Sequence, residues 1–116
     1  MHEMSIAAEI LDQVIEQAKV NNLVRVSEVT LEVGFLKQVV PELMIIAFES
    51  ITTDTIVERA RLKIVEVPSI AKCNECSYSF EPKINNFLCP KCERADVNVI
   101  SGNDIILKAI FGEVKE

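Results

Sequence analysis

Two groups of residues in this chain have the donor types and the spacing to hold a metal ion. The first is a pair of C-x-x-C turns, "CNEC" and "CPKC", which sets Cys73 and Cys76 twelve residues from Cys89 and Cys92. Each turn carries two sulfurs, and two such turns close a tetrahedron around one ion. Four soft thiolates favour zinc, or iron in a rubredoxin-like variant. Four protein ligands leave no position open to water, so a zinc ion here is structural, one per chain. The second group is the opening "MHE". The α-amine of Met1, the backbone nitrogens of His2 and Glu3 and the His2 imidazole are nitrogen donors within reach of one ion. Planar nitrogen-rich sets suit nickel(II) or copper(II). The α-amine has an ordinary pKa of about 7.7–8.0, so a metal displaces one loosely held proton there near neutrality. In the simpler reading, His2 is a frayed end with no role.

The remaining composition narrows the chemistry. His2 is the single histidine of 116 residues, which removes Ser-His-Asp and H-E-x-x-H arrangements. No pair of the 18 carboxylates stands out as a general acid and base, and no enzyme is expected. Gly34, Gly102 and Gly112 are far apart, so neither a P-loop nor a G-x-G-x-x-G turn exists and nucleotide binding is not expected. A net charge of −6 disfavours nucleic acid. Within 72–96, Lys72, Lys83, Lys91 and Arg94 are balanced by Glu75, Glu81, Glu93 and Asp96, and four thiolates on a dication add negative charge. The longest strongly apolar run, "LMIIAF" at 43–48, falls short of the ~20 residues that span a bilayer. The acidic first twenty residues do not read as a signal peptide, which points to the cytoplasm. Thiols stay reduced there, which favours metal ligation over disulfides, and two matched turns fit a shared metal better than a redox dithiol.

The elements that must position these groups follow from periodicity. Apolar residues from Ile6 to Ala18 recur at three and four, an amphipathic helix stopped by Asn21-Asn22, with Ser5 as candidate N-cap. "SEVTLEVG" alternates as a half-buried strand. Pro41 opens a second helix whose core stripe is Leu43, Met44, Ala47, Phe48 and Ile51. "RLKIVEV" forms a second strand ended by Pro68. Residues 70–95 hold the cysteines, with Tyr78, Phe80 and Phe87 as the expected miniature core of a small lobe. "VNVI" and "IILKAIF", separated by "SGND", suit a hairpin. The expected fold is α+β: two helices on a small mixed β-sheet, with an inserted zinc-ribbon-like lobe. Residues 1–69 and 96–116 then form one discontinuous domain and 70–95 the lobe.

The "MHEMS" start, the amphipathic helix, the strand ending in Gly34, "PELMIIAFE" and the paired "CNEC" and "CPKC" together resemble the HypA family of nickel-insertion proteins for hydrogenase and urease maturation. The resemblance covers essentially the whole chain, and the joint occurrence of M-H-E with the cysteine pairs is highly specific. It implies that Met1, His2 and Glu3 bind nickel as a transient cargo, one ion per chain. It likewise implies structural zinc on Cys73, Cys76, Cys89 and Cys92. The implied partners are a maturation GTPase, HypB, and a hydrogenase large-subunit precursor, with the chain a monomer or weak homodimer. Some members carry an acidic nickel ligand at the start of the second helix, where this sequence has Val40, Pro41 and Glu42; Glu42 is the candidate substitute. The competing expectation is a zinc-ribbon interaction or regulatory module in which His2 has no part.

Overall fold

A computed structural model describes residues 3–114. Its Cα packing separates two compact units, Met1–Glu32 with Val39–Val65 and Ile106–Glu116, and Val33–Gln38 with Glu66–Ile105. The unit that carries the cysteines therefore extends beyond 70–95 on both sides.

In the first unit, helix α1 (Glu3–Val20) turns Ile6, Ala7, Ile10, Val14 and Ala18 inward. It begins before Ser5, so that residue lies inside the first turn and does not cap it. Asn22, with φ of 56°, ends the helix in the left-handed region, where asparagine is tolerated. Strand β1 (Leu23–Gly34) is longer than its alternating segment suggests. A 3-10 turn (Phe35–Lys37) leads to helix α2 (Pro41–Thr52), with Pro41 in its first turn. Helices α1 and α2 pack together, and Met44, Ala47 and Phe48 of α2 are buried with Val26, Val29 and Leu31 of β1. Leu43, expected in that stripe, is 51% exposed, as is Ile46 at 62%. The inward arc is already filled by positions 44, 47 and 48, and Leu43 falls outside it, about 40° beyond Ala47 and about 100° from Met44.

Strand β2 (Arg61–Val67) and strand β6 (Ile105–Val114) flank β1 in the order β2-β1-β6. Strand β6 is antiparallel to β1: the Gly34 N–H donates to the Asp104 carbonyl near one end, and Gly112 lies against Arg25 near the other. Strand β2 follows β1 through α2, the crossover that a parallel neighbour requires. The result is a mixed sheet with helices, the α+β class expected from the pattern.

The second unit holds strands β3 (Ile70–Cys73), β4 (Ser79–Phe80) and β5 (Val97–Ser101) in the order β4-β3-β5. Both neighbours are antiparallel to β3, with Ala71 opposite Phe80 on one side and Val99 on the other. The expected hairpin of "VNVI" with "IILKAIF" does not form, because β5 pairs β3 while β6 pairs β1. Between them Gly102 adopts a φ of +70°, and any Cβ there would overlap the Pro68 carbonyl. A Cβ on Gly34 would in turn overlap the Gly102 carbonyl. Ser69, 2% exposed, fastens this close approach. Its Oγ donates to the Gly102 carbonyl at 2.5 Å and accepts from the Leu36 N–H at 3.2 Å.

Candidate metal centre

The cysteine turns are two near-copies of one backbone design. In the first, the Cys73 N–H donates to the Tyr78 carbonyl at 2.9 Å and the Ser77 N–H to the Cys73 carbonyl at 3.0 Å. In the second, the Cys89 N–H donates to the Arg94 carbonyl at 2.9 Å and the Glu93 N–H to the Cys89 carbonyl at 2.7 Å. Ser77 and Glu93 occupy the same place in the two turns and both are left-handed, with φ of 62° and 61°. This reversal aims successive backbone N–H groups at the sulfurs. Cys73 accepts from Cys76 and Glu75, and Cys76 from Tyr78; Cys89 accepts from Cys92 and Lys91, and Cys92 from Arg94.

Between the turns the four sulfurs converge. All lie within 4.8 Å of one another, with Cys73 Sγ 3.5 Å from Cys92 Sγ and Cys76 Sγ 3.5 Å from Cys89 Sγ. No two form a disulfide. A tetrahedron with metal–sulfur bonds of ~2.3 Å has edges of about 3.8 Å, so the set fits one zinc-sized ion. Cys73 and Cys89 are buried, and Cys76 and Cys92 half-buried.

The thiol acidities follow the same pairing. The Cys76 N–H, acting against burial and helped by the Glu75 N–H and the Cys92 thiol, lowers Cys73. Burial pushes Cys89 up, but N–H groups of Cys92 and Lys91 and two neighbouring thiols bring it down to about 7. Cys76 is raised despite the Tyr78 N–H, because burial and the proton it shares with Cys89 and Cys73 hold it as a thiol. Cys92 is pushed up to about 12, against the Arg94 N–H, by burial and by donation to the other three sulfurs. Each close pair thus has one partner that sheds its proton readily and one that keeps it. A cation in the centre replaces those shared protons.

Polar groups with no visible part in ligation brace the turns. The Asn74 amide donates to Asp96 Oδ1 at 2.8 Å and accepts from the Asn98 amide at 3.0 Å, and Glu75 meets Arg94 at 3.7 Å. The expected aromatic core is absent. Tyr78 and Phe80 stack with centroids 6.4 Å apart, yet Tyr78, Phe87 and Leu88 are exposed, while Cys73, Cys89, Ser69 and Ala71 are buried. In so small a lobe the ligand turns take the interior that side chains would otherwise fill.

Of the amino-terminal triplet, Met1 and His2 lie outside the described residues. Glu3 opens α1, and its Oε2 accepts from the Val40 N–H at 3.4 Å. Val40 is the N-cap of α2 and has no side-chain cap of its own. Glu42 is exposed in the first turn that follows. No helix among the described residues is long and apolar enough to cross a membrane.

Comparison with known proteins agrees with this arrangement over nearly the full length. A family model described as HypA, hydrogenase/urease nickel incorporation, metallochaperone, matches residues 1–111. The hydrogenase maturation factor HypA of Chlorobium limicola is 36% identical over 110 residues, 95% of each chain. That of Aquifex aeolicus is 36% identical over 115 residues, 98% of this chain and 99% of its own. The solution structure of the Ni metallochaperone HypA from Helicobacter pylori superposes with a TM-score of 0.76 at 26% identity, covering 99% of this chain and all of that one.

Proposed function

The chain belongs to the HypA family of hydrogenase maturation factors, metallochaperones and not enzymes, and from that premise we propose that it receives one nickel(II) ion at its amino terminus and delivers it to a hydrogenase large-subunit precursor. The donors are the Met1 amine, the backbone nitrogens of His2 and Glu3 and the His2 imidazole. The observation that carries this reading is the Glu3 carboxylate seated at the Val40 N–H. It ties the third residue of the triplet to the start of α2, where Glu42 is available as a further oxygen donor. Nickel is cargo, so the site needs to hold it only more weakly than the acceptor does. Copper(II) binds nitrogen sets more strongly by intrinsic affinity, so selectivity comes from metal supply and docking.

Cys73, Cys76, Cys89 and Cys92 hold one structural zinc ion, which supplies a cross-link between the two turns and no open coordination position. Residues 70–95, the ligand-bearing part of the second compact unit, form the zinc-binding lobe, and the nickel donors belong to the chain outside it, 1–69 with 96–116. Nucleotide chemistry falls to the partner GTPase HypB, since this sequence has no phosphate loop. The setting is cytoplasmic, the chain is a monomer or weak homodimer, and urease is a second acceptor.

Calorimetric titration of nickel into zinc-loaded protein with its native, untagged terminus, beside His2→Ala, tests the reading. One nickel per chain, lost in the variant while zinc content is unchanged, is the expected result. Equal binding by both proteins, or by neither, leaves the zinc-ribbon interaction module as the function.

A further inference from the structure

The two cysteine turns share a backbone design but are held in place differently. Cys73 ends β3, the middle strand of the β4-β3-β5 sheet, with Lys72 opposite Ser79 on one side and Cys73 itself opposite Val97 on the other. The first turn is thus the tip of a hairpin, and its Asn74 N–H donates to the Asp96 carbonyl at 2.9 Å. The second turn lies within the described residues 81–96, which carry no strand, only the isolated bridge of Lys83 with Asn86. Its upstream arm closes on itself. Lys83 and Asn86 exchange both main-chain hydrogen bonds, Asn86 Oδ1 accepts from the Leu88 N–H at 3.0 Å, and Ile84, Phe87 and Leu88 are exposed. The Arg94–Glu75 pair that crosses to the first turn is 65% and 49% exposed, and such a surface pair holds little. Local opening follows the ladder bonds and buried apolar contacts that must break. Opening the first turn tears a strand from two neighbours, whereas opening the second leaves the sheet intact.

We infer that the second turn is the exchange gate of the zinc site. Cys89 and Cys92 move away as a pair while Cys73 and Cys76 keep hold of the ion, and zinc leaves, or a competing soft cation enters, by that side. The inference rests on zinc being held by the four cysteines. Each step breaks a metal–sulfur bond and frees a thiolate, which water protonates or an electrophile captures, with no change of oxidation state. Exposure alone gives a different order. Cys76 and Cys92 are half-buried and Cys73 and Cys89 buried, one of each kind in either turn. Simple access therefore pairs the thiols across the turns, and a gate pairs them within one.

The test treats the zinc-loaded full chain with brief pulses of iodoacetamide and reads the alkylated cysteines by peptide mass spectrometry. Each capture forms a carbon–sulfur bond and expels iodide. Rates are normalised to those of the same cysteines in the urea-unfolded chain, which removes intrinsic reactivity. Cys89 and Cys92 should be labelled together, at least about tenfold faster than Cys73 and Cys76. Asn86→Ala takes the acceptor from the Leu88 N–H and should speed the first pair by a further threefold or so, about the worth of one hydrogen bond, without the second pair. Labelling of Cys76 and Cys92 ahead of the buried pair, of the first turn first, or of all four together overturns the gate. An Asn86→Ala chain whose Cys89 and Cys92 are no faster, or whose four thiols speed up alike, overturns it as well. If that variant fails to fold, the order in the unaltered chain decides alone. Zinc content is measured before the pulses: a chain that takes up no zinc refutes the zinc site and the gate with it, a result distinct from a wrong order in a loaded chain.

Discussion

Replacing Ser69 with alanine deletes one oxygen and leaves two main-chain groups without partners. The Leu36 N–H loses its acceptor at 3.2 Å and the Gly102 carbonyl its donor at 2.5 Å. With Ser69 only 2% exposed, water has little access to replace the hydroxyl. A buried unsatisfied polar group costs about 1–3 kcal/mol, so Ser69→Ala, which leaves two, should destabilise the second unit by roughly 2–6 kcal/mol. The loss is local in origin and is best read by amide hydrogen exchange of the zinc-loaded chain. Protection at Leu36 and its neighbours should fall by a factor between about 30 and about 20,000, since each 1.4 kcal/mol is tenfold. Ser79→Ala, at an exposed residue of β4, serves as control and should stay within ±0.5 kcal/mol. A Ser69→Ala chain that matches this control would refute the claim that the hydroxyl fastens the Gly34–Gly102 approach.

Two other measurements probe the metal turns and the core. Zinc requires four thiolates, whereas near neutrality Cys76 and Cys92 still carry protons and Cys89, at about 7, is half protonated. Their effective pKa values are depressed in the bound state, so the stabilisation by zinc is present at high pH and lost as pH falls. Apparent affinity should drop by at least about a thousandfold per unit well below pH 7, for the protons of Cys76, Cys89 and Cys92 alone, read by a chromogenic chelator; a slope below one proton would contradict the shared-proton picture. Phe48→Ala, at a residue only 1% exposed, should cost about 3–5 kcal/mol by urea denaturation. Leu43→Ala on the outer side of the same helix should cost well under half of that, and comparable losses would show that the stripe was drawn on the wrong face.

How much of this was legible in the sequence depends on how strictly each feature demands a residue type. Thiolate ligation requires cysteine, so the two turns were readable to the residue. The face of α1 was readable because eighteen helical residues give the period time to declare itself. Leu43 was misassigned because α2 has apolar residues over most of its circumference, and the pattern cannot say which are surplus. The hairpin failed for a related reason: "SGND" permits a turn, but the choice of partner strand rests on contacts distant in the chain. Ser69, Gly34 and Gly102 act through atoms that any sequence contains, a hydroxyl and two missing side chains, and only the close approach of the backbones gives them meaning. His2 lies outside the described residues, and its nickel role is a proposal from donor chemistry and family membership.

The near-identity of the two cysteine turns bears on how this surface can change over generations. The N–H groups that aim at the sulfurs are all main-chain, and the side chains of Asn74 and Glu75 only brace the first turn from outside. The pairs Asn74-Glu75 and Pro90-Lys91 share no chemistry, yet occupy equivalent places in the same backbone. Proline is accepted at the second of these because no sulfur needs that N–H. The outward residues of both turns are therefore open to drift or to selection for a docking partner at little risk to the ion beneath, and recognition and metal retention can evolve separately within a few residues of each other.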